Sequence, residues 1–394
     1  MSPRGAARLR SGHVWVYQSD IKSARNIAPA STVSVYDDHA SFYGTALYSS
    51  TSQIAIRMLG SQAIPAERTA EVVAERVRAA IHYRRNVVRD TNAYRVVFSE
   101  ADFLPGLIVD RYNDMLSLQV LTQAMDQAPV REAVLRELVQ ELDPVCIVER
   151  VEPRIRELEQ LPPLEGGVIW TRDGAQPKSS TTFTMNGLRF QYDAHGGQKT
   201  GAFLDQRENY SAAERYAHGR ALDVFCYQGG FALHLARTCE QVTGVDASRP
   251  ALEIANQNAA LNAGLYNGRE IEWVEANAFD LLRDYSDGGE EYDTVVLDPP
   301  AFAKTKRTLD TAVRGYKELN LRALKMVKAG GVLVTCSCSY HVSEAEFLQM
   351  LTSAAVDARR QVRILEKRVQ AQDHPVLLTV PETSYLKCII CQIT

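Results

Sequence analysis

The sequence contains no apolar run long enough to span a membrane. Its longest apolar segments, at residues 331–334 and 386–393, fall far short of the ~20 residues that a spanning helix needs. The charged first ten residues lack the apolar core that follows the basic region of a secretory signal. These absences predict a cytoplasmic protein that is not inserted in a membrane.

An excess of positive charge is also missing. The 394 residues include 44 Lys and Arg against 48 Asp and Glu, a formal net charge of −4 at pH 7. The chain as a whole therefore lacks the positive field that binds nucleic acid without selectivity, and any RNA-binding charge has to be local. A hydrophobic content of 45% is average for globular chains, and the length predicts two or three domains.

Cysteine is sparse and odd in number. Seven cysteines do not make a disulfide framework in a chain of this length, so we expect reduced thiols, one of which has a chemical role. Cys336 and Cys338 would need a second pair to bind zinc, and Cys388 and Cys391 have the spacing of one. That second pair lies in an apolar C-terminal segment, and we predict no metal site.

Changes of pattern divide the chain into three regions. The first, residues 1–65, is typical of a small β-rich module, and the second, residues 66–185, of a connecting helix followed by an α+β domain. Strands are predicted in these two regions at 14–17, 32–36, 42–47, 54–58, 94–98, 106–110, 115–121 and 145–149, and helices at 65–89 and 127–142.

The third region, residues 186–394, changes from residue 220 to alternating strands and helices. Strands are predicted at 221–225, 241–246, 271–275, 294–298 and 331–335, and helices at 230–238, 249–262 and 309–328. Alternation of this kind predicts an α/β fold with a mostly parallel sheet, helices on both faces and a ligand site at the carboxyl ends of the strands.

Residues 222–231, Leu-Asp-Val-Phe-Cys-Tyr-Gln-Gly-Gly-Phe, have the pattern of a buried strand that ends in a glycine turn. The segment is neither a Gly-x-Gly-x-x-Gly fingerprint nor a Walker loop, which argues against nicotinamide dinucleotides and nucleoside triphosphates. Asp246 ends the next strand, where a carboxylate accepts hydrogen bonds from ribose hydroxyls. The pattern indicates an adenosine-containing ligand, although an ordinary strand-to-helix turn explains Gly229 and Gly230 equally well.

Further motifs flank the predicted strands. They are Gln198-Lys-Thr-Gly201, Asp205-Gln-Arg207, Asn277-Ala-Phe279, Asp298-Pro-Pro-Ala-Phe302 and Thr335-Cys-Ser-Cys-Ser339. Residues 10–17 and 99–112 add one motif to each of the first two regions. In this order and spacing the motifs resemble the S-adenosylmethionine-dependent RNA methyltransferases that modify C5 of cytosine in large-subunit ribosomal RNA.

This resemblance spans nearly the whole chain. It implies an N-terminal PUA-like domain, an α+β middle domain, a C-terminal Rossmann-like methyltransferase domain, S-adenosylmethionine as cofactor, 23S ribosomal RNA as partner and a homodimer. The cofactor-binding residues that it indicates are Gln198, Thr200, Gly201, Arg207, Asp223, Phe225, Gly229, Asp246, Asn277 and Asp298. The chain departs from the family pattern at the first PUA strand, which we expect to be shortened, and at Asn277, where Asp is usual.

Methylation of C5 of a pyrimidine needs a nucleophile that first adds to C6. A cysteine thiolate does this, and a base then removes the C5 proton. The family's pattern assigns the nucleophile to Cys338. Cys336 lies two residues away on the same extended segment, so spacing alone leaves both open, and burial in the core is the alternative for either.

Asp298 is the second predicted catalytic residue, because its carboxyl group can pair with N3 and the amine of cytosine. Pro299 stiffens the backbone there, and Phe302 is expected either to stack on a flipped base or to be a buried loop aromatic. Asp-Pro-Pro motifs also serve methyltransferases that modify exocyclic amines without a cysteine. Ala301 before Phe302, and the cysteine at a strand end, favour carbon methylation.

Basic residues concentrate between residues 304 and 328. Lys304, Lys306 and Arg307 are predicted to contact RNA phosphates and so to bind substrate, whereas Lys325 and Lys328 fit a solvated helix face.

The aromatic residues of the first region are spaced as in a strand. His13, Trp15 and Tyr17 are therefore predicted to be structural rather than RNA contacts. A ribosome-associated RNA-binding protein without turnover is the non-enzymatic alternative, and the intact Cys338 and Asp298 oppose it.

Overall fold

The computed structural model describes residues 1–194, 202–303 and 306–394, the last range without the side chain of Lys306. The chain forms two compact units. The first comprises Met1–Phe183, residues 192–194 and Gln372–Thr383, and the second Thr184–Gln191, Ala202–Ala371 and Ser384–Thr394. The first unit thus combines the first two predicted regions with part of the C-terminal one, and the three-domain division stays a prediction.

The N-terminal module is a four-stranded antiparallel sheet preceded by a helix. Its elements are α1 (Pro3–Arg10), β1 (Trp15–Tyr17), β2 (Thr32–Tyr36), β3 (Phe42–Tyr48) and β4 (Ile54–Gly60). The strands lie in the order β1, β4, β3, β2. Side chains alternate between the two faces along each strand, and Val16, Ala46 and Ile56 lie in the core of the module.

A mixed sheet of five strands follows in the same unit. Its elements are α2 (Thr69–Val87), β5 (Ala93–Phe98), β6 (Leu107–Tyr112), β7 (Met115–Val120), α3 (Ala128–Leu142), β8 (Cys146–Glu149), α4 (Pro153–Leu158) and β9 (Gly167–Thr171). The strands lie in chain order, and only the pair of β7 and β8 is parallel. Val73, Val77 and Ile81 repeat at helical spacing on α2, and this apolar stripe is buried in the core of the sheet.

A two-stranded hairpin connects the predicted second and third regions. It consists of β10 (Ser180–Met185) and β11 (Leu188–Asp193). The turn residues Asn186 and Gly187 have φ values of 52° and 79°. Because a two-residue hairpin turn needs left-handed backbone at both positions, Asn-Gly is the sequence that favours it.

The second unit contains a seven-stranded sheet with helices between the strands. Its elements are α5 (Arg207–Tyr216), β12 (Arg220–Val224), α6 (Gly230–Leu235), β13 (Gln241–Asp246), α7 (Arg249–Leu261), β14 (Ile271–Glu275), α8 (Ala278–Gly288), β15 (Tyr292–Leu297), α9 (Leu309–Met326), β16 (Val327–Ser337), α10 (Glu344–Ala358), β17 (Val362–Arg368) and β18 (Lys387–Ile393). The strand order is β14, β13, β12, β15, β16, β18, β17, with β18 antiparallel to both neighbours and the others parallel.

This topology creates a place for a ligand. The chain moves outward in one direction from β12 to β14 and in the other from β15 to β16, so the winding reverses between β12 and β15. In open α/β sheets a crevice forms outside the carboxyl ends of the strands at such a point. The loops after β12 and β15 therefore define where a ligand site is expected.

The α/β class predicted from the sequence is confirmed. The predicted strands at 241–246 and 271–275 coincide with β13 and β14. Helices α8 and α10 were not predicted, although Ser343 and Glu346 form a capping box at the start of α10, a signal that the sequence carries. Among the described residues no helix has both the length and the apolar character needed to cross a membrane.

Candidate active site

The glycine turn after β12 is shaped by backbone conformation and by packing. Phe225, Tyr227 and Gly229 have φ values of 67°, 50° and 87°. A Cβ atom on Gly229 would lie 2.3 Å from Cδ1 of Leu233, and one on Gly230 would lie 2.5 Å from the ring of Tyr210. The conformation and packing of the turn therefore favour glycine at both positions, whether or not a ligand approaches the backbone.

We expect Gly229→Ala to lower the free energy of unfolding by about 2–4 kcal/mol, since a left-handed backbone and an overlap act together. Gly268→Ala is the matched control, because Gly268 has a φ of 78° and a Cβ atom added to it would have no neighbour within 4 Å. Gly268→Ala should lower the free energy of unfolding by about 1 kcal/mol, the cost of the left-handed backbone alone. Urea denaturation followed by circular dichroism measures both, and equal costs would contradict the role of packing.

Three carboxyl groups, those of Asp223, Asp246 and Asp298, lie at this edge of the sheet. Asp223 is fully buried, and its Oδ2 accepts a hydrogen bond of 2.8 Å from the backbone N–H of Ala232 at the start of α6. Its Oδ1 has no hydrogen-bond partner among the described residues. Burial, with smaller effects from Asp298 and Asp246, raises the pKa of Asp223 to about 8. The second oxygen is therefore a buried acceptor that no described group satisfies.

Asp246 joins two loops at the end of β13. Its Oδ2 accepts a hydrogen bond of 3.0 Å from the backbone N–H of Tyr227, and its Oδ1 one of 2.8 Å from that of Ser248. The side chain is half-buried, and each carboxylate oxygen has a further lone pair. Asp246 can thus accept from a ligand hydroxyl without giving up either backbone contact.

Asp298 follows β15 and is held by an amide chain that starts on α5. Nε2 of Gln206 donates to its Oδ1 at 2.9 Å, and Nδ2 of Asn209 donates to Oε1 of Gln206 at 2.6 Å. Asn209 thereby fixes which end of the Gln206 amide faces the carboxylate. Burial, followed by repulsion from the carboxylate of Asp205, raises the pKa of Asp298 to about 7. Gln206 is a site residue that was missed from the sequence, although it lies in the Asp205-Gln-Arg207 motif.

A cleft opens beside the loop after β12, and Asp298 after β15 forms part of its wall. Its wall includes Phe203, Tyr210, Tyr227, Gly230, Phe231 and Asp298. The rings of Phe203 and Tyr227 meet edge to face with centroids 5.1 Å apart, as do those of Tyr210 and Phe231 at 4.7 Å. The cleft thus combines aromatic walls with a carboxyl group, at the place where the winding of the sheet reverses.

The two candidate cysteines differ in their surroundings. Cys336 is fully buried in β16 opposite Cys388, and burial raises the pKa of its thiol well above the ordinary value. Cys338 lies just beyond the end of β16 and is partly exposed, and its Sγ donates to the carbonyl oxygen of Pro299 at 3.9 Å. All seven cysteines are among the described residues, and the other six are buried.

Other predicted site residues have structural contacts. Oδ1 of Asn277 caps α8 by accepting from the N–H groups of Phe279 and Asp280 at 2.9 and 3.4 Å. Arg207 is almost fully buried at the start of α5. The ring of Phe302 packs against Tyr316 and is partly buried, with centroids 4.7 Å apart. Cofactor or substrate contacts of these residues stay predictions.

Several of the predicted site residues cannot be placed. Gln198, Thr200, Gly201 and Lys304 lie outside the described residues, as does the side chain of Lys306. Arg307 is described and exposed.

The basic stretch around α9 is partly neutralised. Lys317 pairs with Asp357 at 2.6 Å, Arg322 with Asp287 at 2.6 Å, and Lys328 with Asp293 at 3.0 Å. These three basic side chains form ion pairs within the unit. The number of basic side chains around α9 that are free to contact RNA phosphates is therefore smaller than the sequence indicates.

The aromatic residues of the first region have structural partners. Nε1 of Trp15 donates to Glu100 at 3.1 Å, and Nε2 of His13 lies 3.1 Å from a carboxylate oxygen of Glu382. The rings of His13 and Trp15 also meet edge to face, with centroids 5.3 Å apart. These contacts agree with the predicted structural role.

No group of three or more His, Cys, Asp or Glu side chains suited to a metal ion occurs within residues 1–194, 202–303 and 306–394. Cys388 and Cys391 are three residues apart on β18, so their side chains project to opposite faces of the sheet. Cys388 and Cys391 have the sequence spacing of a zinc-binding pair, but on this strand they do not face the same side.

Comparison with protein families gives two matches. A family described as a PUA-like domain matches residues 1–61, and one described as S-adenosylmethionine-dependent methyltransferase matches residues 168–379. Among curated proteins, ribosomal RNA large subunit methyltransferase I of Photobacterium profundum is 36% identical over 392 residues, which are 98% of this chain and 96% of that protein. The protein of the same name from Klebsiella pneumoniae is 36% identical over 387 residues, 97% of this chain and 94% of that protein.

Solved structures share the fold over nearly the whole chain. An S-adenosylmethionine-dependent methyltransferase from Streptococcus mutans has a TM-score of 0.82 at 17% identity, covering 99% of this chain and 98% of that one. A methyltransferase crystallised in complex with SAH has a TM-score of 0.83 at 17% identity and the same coverage. At this level of identity the likeness concerns the fold.

Proposed function

Because this chain belongs to the family of S-adenosylmethionine-dependent ribosomal RNA large subunit methyltransferases, we propose that it methylates C5 of a cytosine through a covalent adduct on Cys338. Methylation of ribosomal RNA with S-adenosylmethionine follows from the family, whereas the atom and the adduct are the proposal. One observation carries it: a partly exposed thiol lies 3.9 Å from the carbonyl of Pro299, directly beside Asp298.

The site residues fit the cofactor. S-adenosylmethionine carries a sulfonium and an ammonium group beside an adenosine, and it supplies an electrophilic methyl group when bound. Asp223, Asp246 and Asp298 bring three carboxyl groups to this edge of the sheet, and a cationic ligand favours their ionised forms. The buried Oδ1 of Asp223 has no described partner, and such an acceptor is stabilised when a ligand donor reaches it. We assign Asp246 to the ribose hydroxyls.

Cys338 supplies the nucleophile in this proposal. Its thiolate forms a bond to C6 of cytosine, and the electron pair of the C5–C6 double bond makes C5 nucleophilic. C5 would then form a bond to the methyl group while the bond between that group and the sulfonium sulfur breaks, with its electron pair left on the sulfur. A base removes the C5 proton, the electron pair re-forms the double bond, and the C6–S bond breaks to restore the thiolate.

Asp298 orients and protonates the base. Its carboxyl group faces N3 and the exocyclic amine of cytosine, and a proton shared with N3 offsets the negative charge that develops when C6 is attacked. A pKa of about 7 suits this exchange, since the group is partly protonated at neutral pH. The bond from Gln206 keeps one carboxylate oxygen in a fixed direction.

Amine methylation is the competing chemistry for an Asp-Pro-Pro loop. It requires a carboxylate and a backbone carbonyl near the amino group and needs no thiol. In this chain the carbonyl of Pro299 accepts from Cys338, so the thiol occupies the position beside the loop. This contact supports carbon methylation.

The proposal also covers the partner. The RNA is 23S ribosomal RNA, the protein works in the cytoplasm, and the chain forms a homodimer. The PUA-like domain at residues 1–61 and the exposed Arg307 contribute RNA contacts. Phe302 and Pro299 flank the flipped base beside Asp298.

Nucleoside analysis distinguishes the two chemistries. The purified protein is incubated with large-subunit RNA from a strain that lacks it, and the RNA is digested to nucleosides for mass spectrometry. We expect 5-methylcytidine, because carbon methylation leaves the amine unchanged. N4-methylcytidine, which has the same mass and a different retention time, would contradict the proposal.

A further inference from the structure

Lys387, the first residue of β18, is buried beside the loop that carries Cys338. Only 8% of its surface is exposed. Its Nζ donates to the carbonyl oxygens of Ser339, Val342 and Tyr385 at 2.6, 2.8 and 2.9 Å. An ammonium group has three N–H donors, so all of them are used on backbone oxygens. Two of these oxygens belong to the loop after Cys338.

We propose that Lys387 is a positioning residue, which holds the Cys338 loop in place and stabilises the thiolate of Cys338 by its charge. The inference rests on the proposed function in that Cys338 is the nucleophile. It adds a role for a residue on the last strand, 49 positions from the thiol in the chain.

The first support is the charge of Lys387, whose three N–H donors are used on backbone oxygens rather than on a carboxylate. Burial lowers the pKa of Lys387 to about 8, and the negative groups that favour its protonated form are the thiolate of Cys338 and, less strongly, Glu346 on α10. Such an interaction acts in both directions, so the ammonium group favours the thiolate. Cysteines next to lysine have lowered thiol pKa values.

The second support is the way in which the loop is clamped. Ser339 gives its carbonyl to Lys387, and its Oγ lies 2.9 Å from the hydroxyl of Tyr316 and accepts from the N–H of Ala303 at 3.1 Å. Ala303 belongs to the loop that begins at Asp298. Lys387 and Ser339 together therefore tie the loop of the nucleophile to the loop of the base-binding carboxyl group.

The titratable groups around the thiol come from several elements. Tyr316 on α9 is neutral at physiological pH, because burial raises the pKa of its hydroxyl. Glu346 on α10 and Asp298 after β15 are the carboxyl groups on this side. Lys387 is a buried cation on this side of the described structure, so its removal is expected to raise the pKa of the thiol.

Alkylation of Cys338 by iodoacetamide tests the inference on the full chain without RNA. The reagent reaches Cys338 selectively, since the other six cysteines are buried, and peptide mass spectrometry identifies the modified residue. We expect Lys387→Met and Lys387→Gln to raise the thiol pKa by about one unit and so to slow alkylation about 10-fold at neutral pH. Lys387→Gln removes the charge but keeps N–H donors for the carbonyl oxygens. A normal alkylation rate in Lys387→Gln, with a slow one in Lys387→Met, would mean that the hydrogen bonds act without the charge and would overturn the role of the charge.

Lys367→Met is the matched control. Lys367 lies on the neighbouring strand β17 and pairs with Glu344 at 2.8 Å on the surface, so the same change of charge should leave the rate within about 2-fold. If the Lys387 variants do not fold, their buried cysteines also react with iodoacetamide. The inference is then tested on the unsubstituted chain, by measuring the thiol pKa of Cys338. In the native chain Cys338 should have a lower thiol pKa than the same residue in urea.

The two proposals fail differently. A thiol pKa in the native chain that equals or exceeds the value in urea overturns the role of Lys387, while methyl transfer by Cys338 stands. Methyl transfer by a chain without Cys338 overturns the proposed function whatever the alkylation rates are.

Discussion

Replacing Cys338 with alanine is expected to reduce methyl transfer to ribosomal RNA by about 10³-fold or more, because the variant lacks the thiolate that forms the bond to C6. Cofactor binding should be retained, since the side chain contacts the Asp298 loop through the carbonyl of Pro299 and not through a carboxylate of the cofactor site. Incorporation of a labelled methyl group into RNA measures the first effect, and isothermal titration with S-adenosylmethionine the second.

Cys336→Ala is the matched control. The two cysteines are two residues apart, but Cys336 is buried opposite Cys388 and its thiol pKa is raised. Its removal should cost about 1 kcal/mol of stability and leave methyl transfer largely intact. Loss of transfer in this variant with full activity in Cys338→Ala would assign the nucleophile to Cys336, and full activity in both would favour amine methylation.

RNA that contains 5-fluorocytosine gives a direct view of the adduct. Fluorine at C5 is not removed as a proton is, so the C6–S bond persists after methylation and survives a denaturing gel. We expect a stable protein–RNA band in the native chain and none in Cys338→Ala.

Replacing Asp298 is expected to have the second largest effect. Asp298→Ala should lower kcat by about 10²–10⁴-fold, the usual contribution of a positioned acid or base. Asp298→Asn keeps an oxygen that accepts from Gln206 but cannot exchange a proton, so we expect a similar loss of kcat with the loop intact. Asp293→Asn, at the opposite end of β15, is the control for the loss of a carboxylate and should retain activity.

Asp298 and Asp223 should make the affinity for the cofactor depend on pH. The raised pKa values of Asp298 and Asp223, about 7 and about 8, mean that both carboxyl groups lose their protons near neutrality. A cationic ligand favours the ionised forms, so the affinity should be highest above these pKa values and fall as the pH decreases through them. Titration calorimetry between about pH 6 and pH 9 measures this.

Asp298→Asn should remove the step near pH 7 and leave the one that belongs to Asp223. An affinity that does not change with pH in the native chain would contradict the assignment of these carboxyl groups to the cofactor site.

The sequence was most informative where chemistry and strand ends coincide. Asp246, Asp298 and Cys338 were each assigned to the carboxyl end of a predicted strand, and the structure has β13, β15 and β16 end within one residue of them. Alternating patterns and continuous apolar runs depend on local spacing, and the parallel strands of an α/β sheet follow from them. The same local rule led to the prediction that Gly229 and Gly230 form a strand-to-helix turn.

The contacts that support the site were beyond such rules. Gln206 lies 92 positions from Asp298, and Lys387 lies 48 positions from Ser339. Periodic patterns in the sequence do not predict contacts between residues so far apart in the chain. These contacts form only when α5, the helix before β12, and the last strand pack beside the loops.

By itself the sequence determined the α/β class and the alternation of strands and helices along the third region, because these depend on hydrophobic periodicity. The side chains of the proposed chemistry were indicated by the resemblance to a known family. Only the tertiary structure decided which thiol is accessible, since Cys336 and Cys338 differ by two residues in the chain and by complete burial in the fold. It also decided that a buried ammonium group binds the loop after that thiol and that an amide chain holds Asp298. Burial and long-range hydrogen bonds set the charge of these groups, and both are properties of packing.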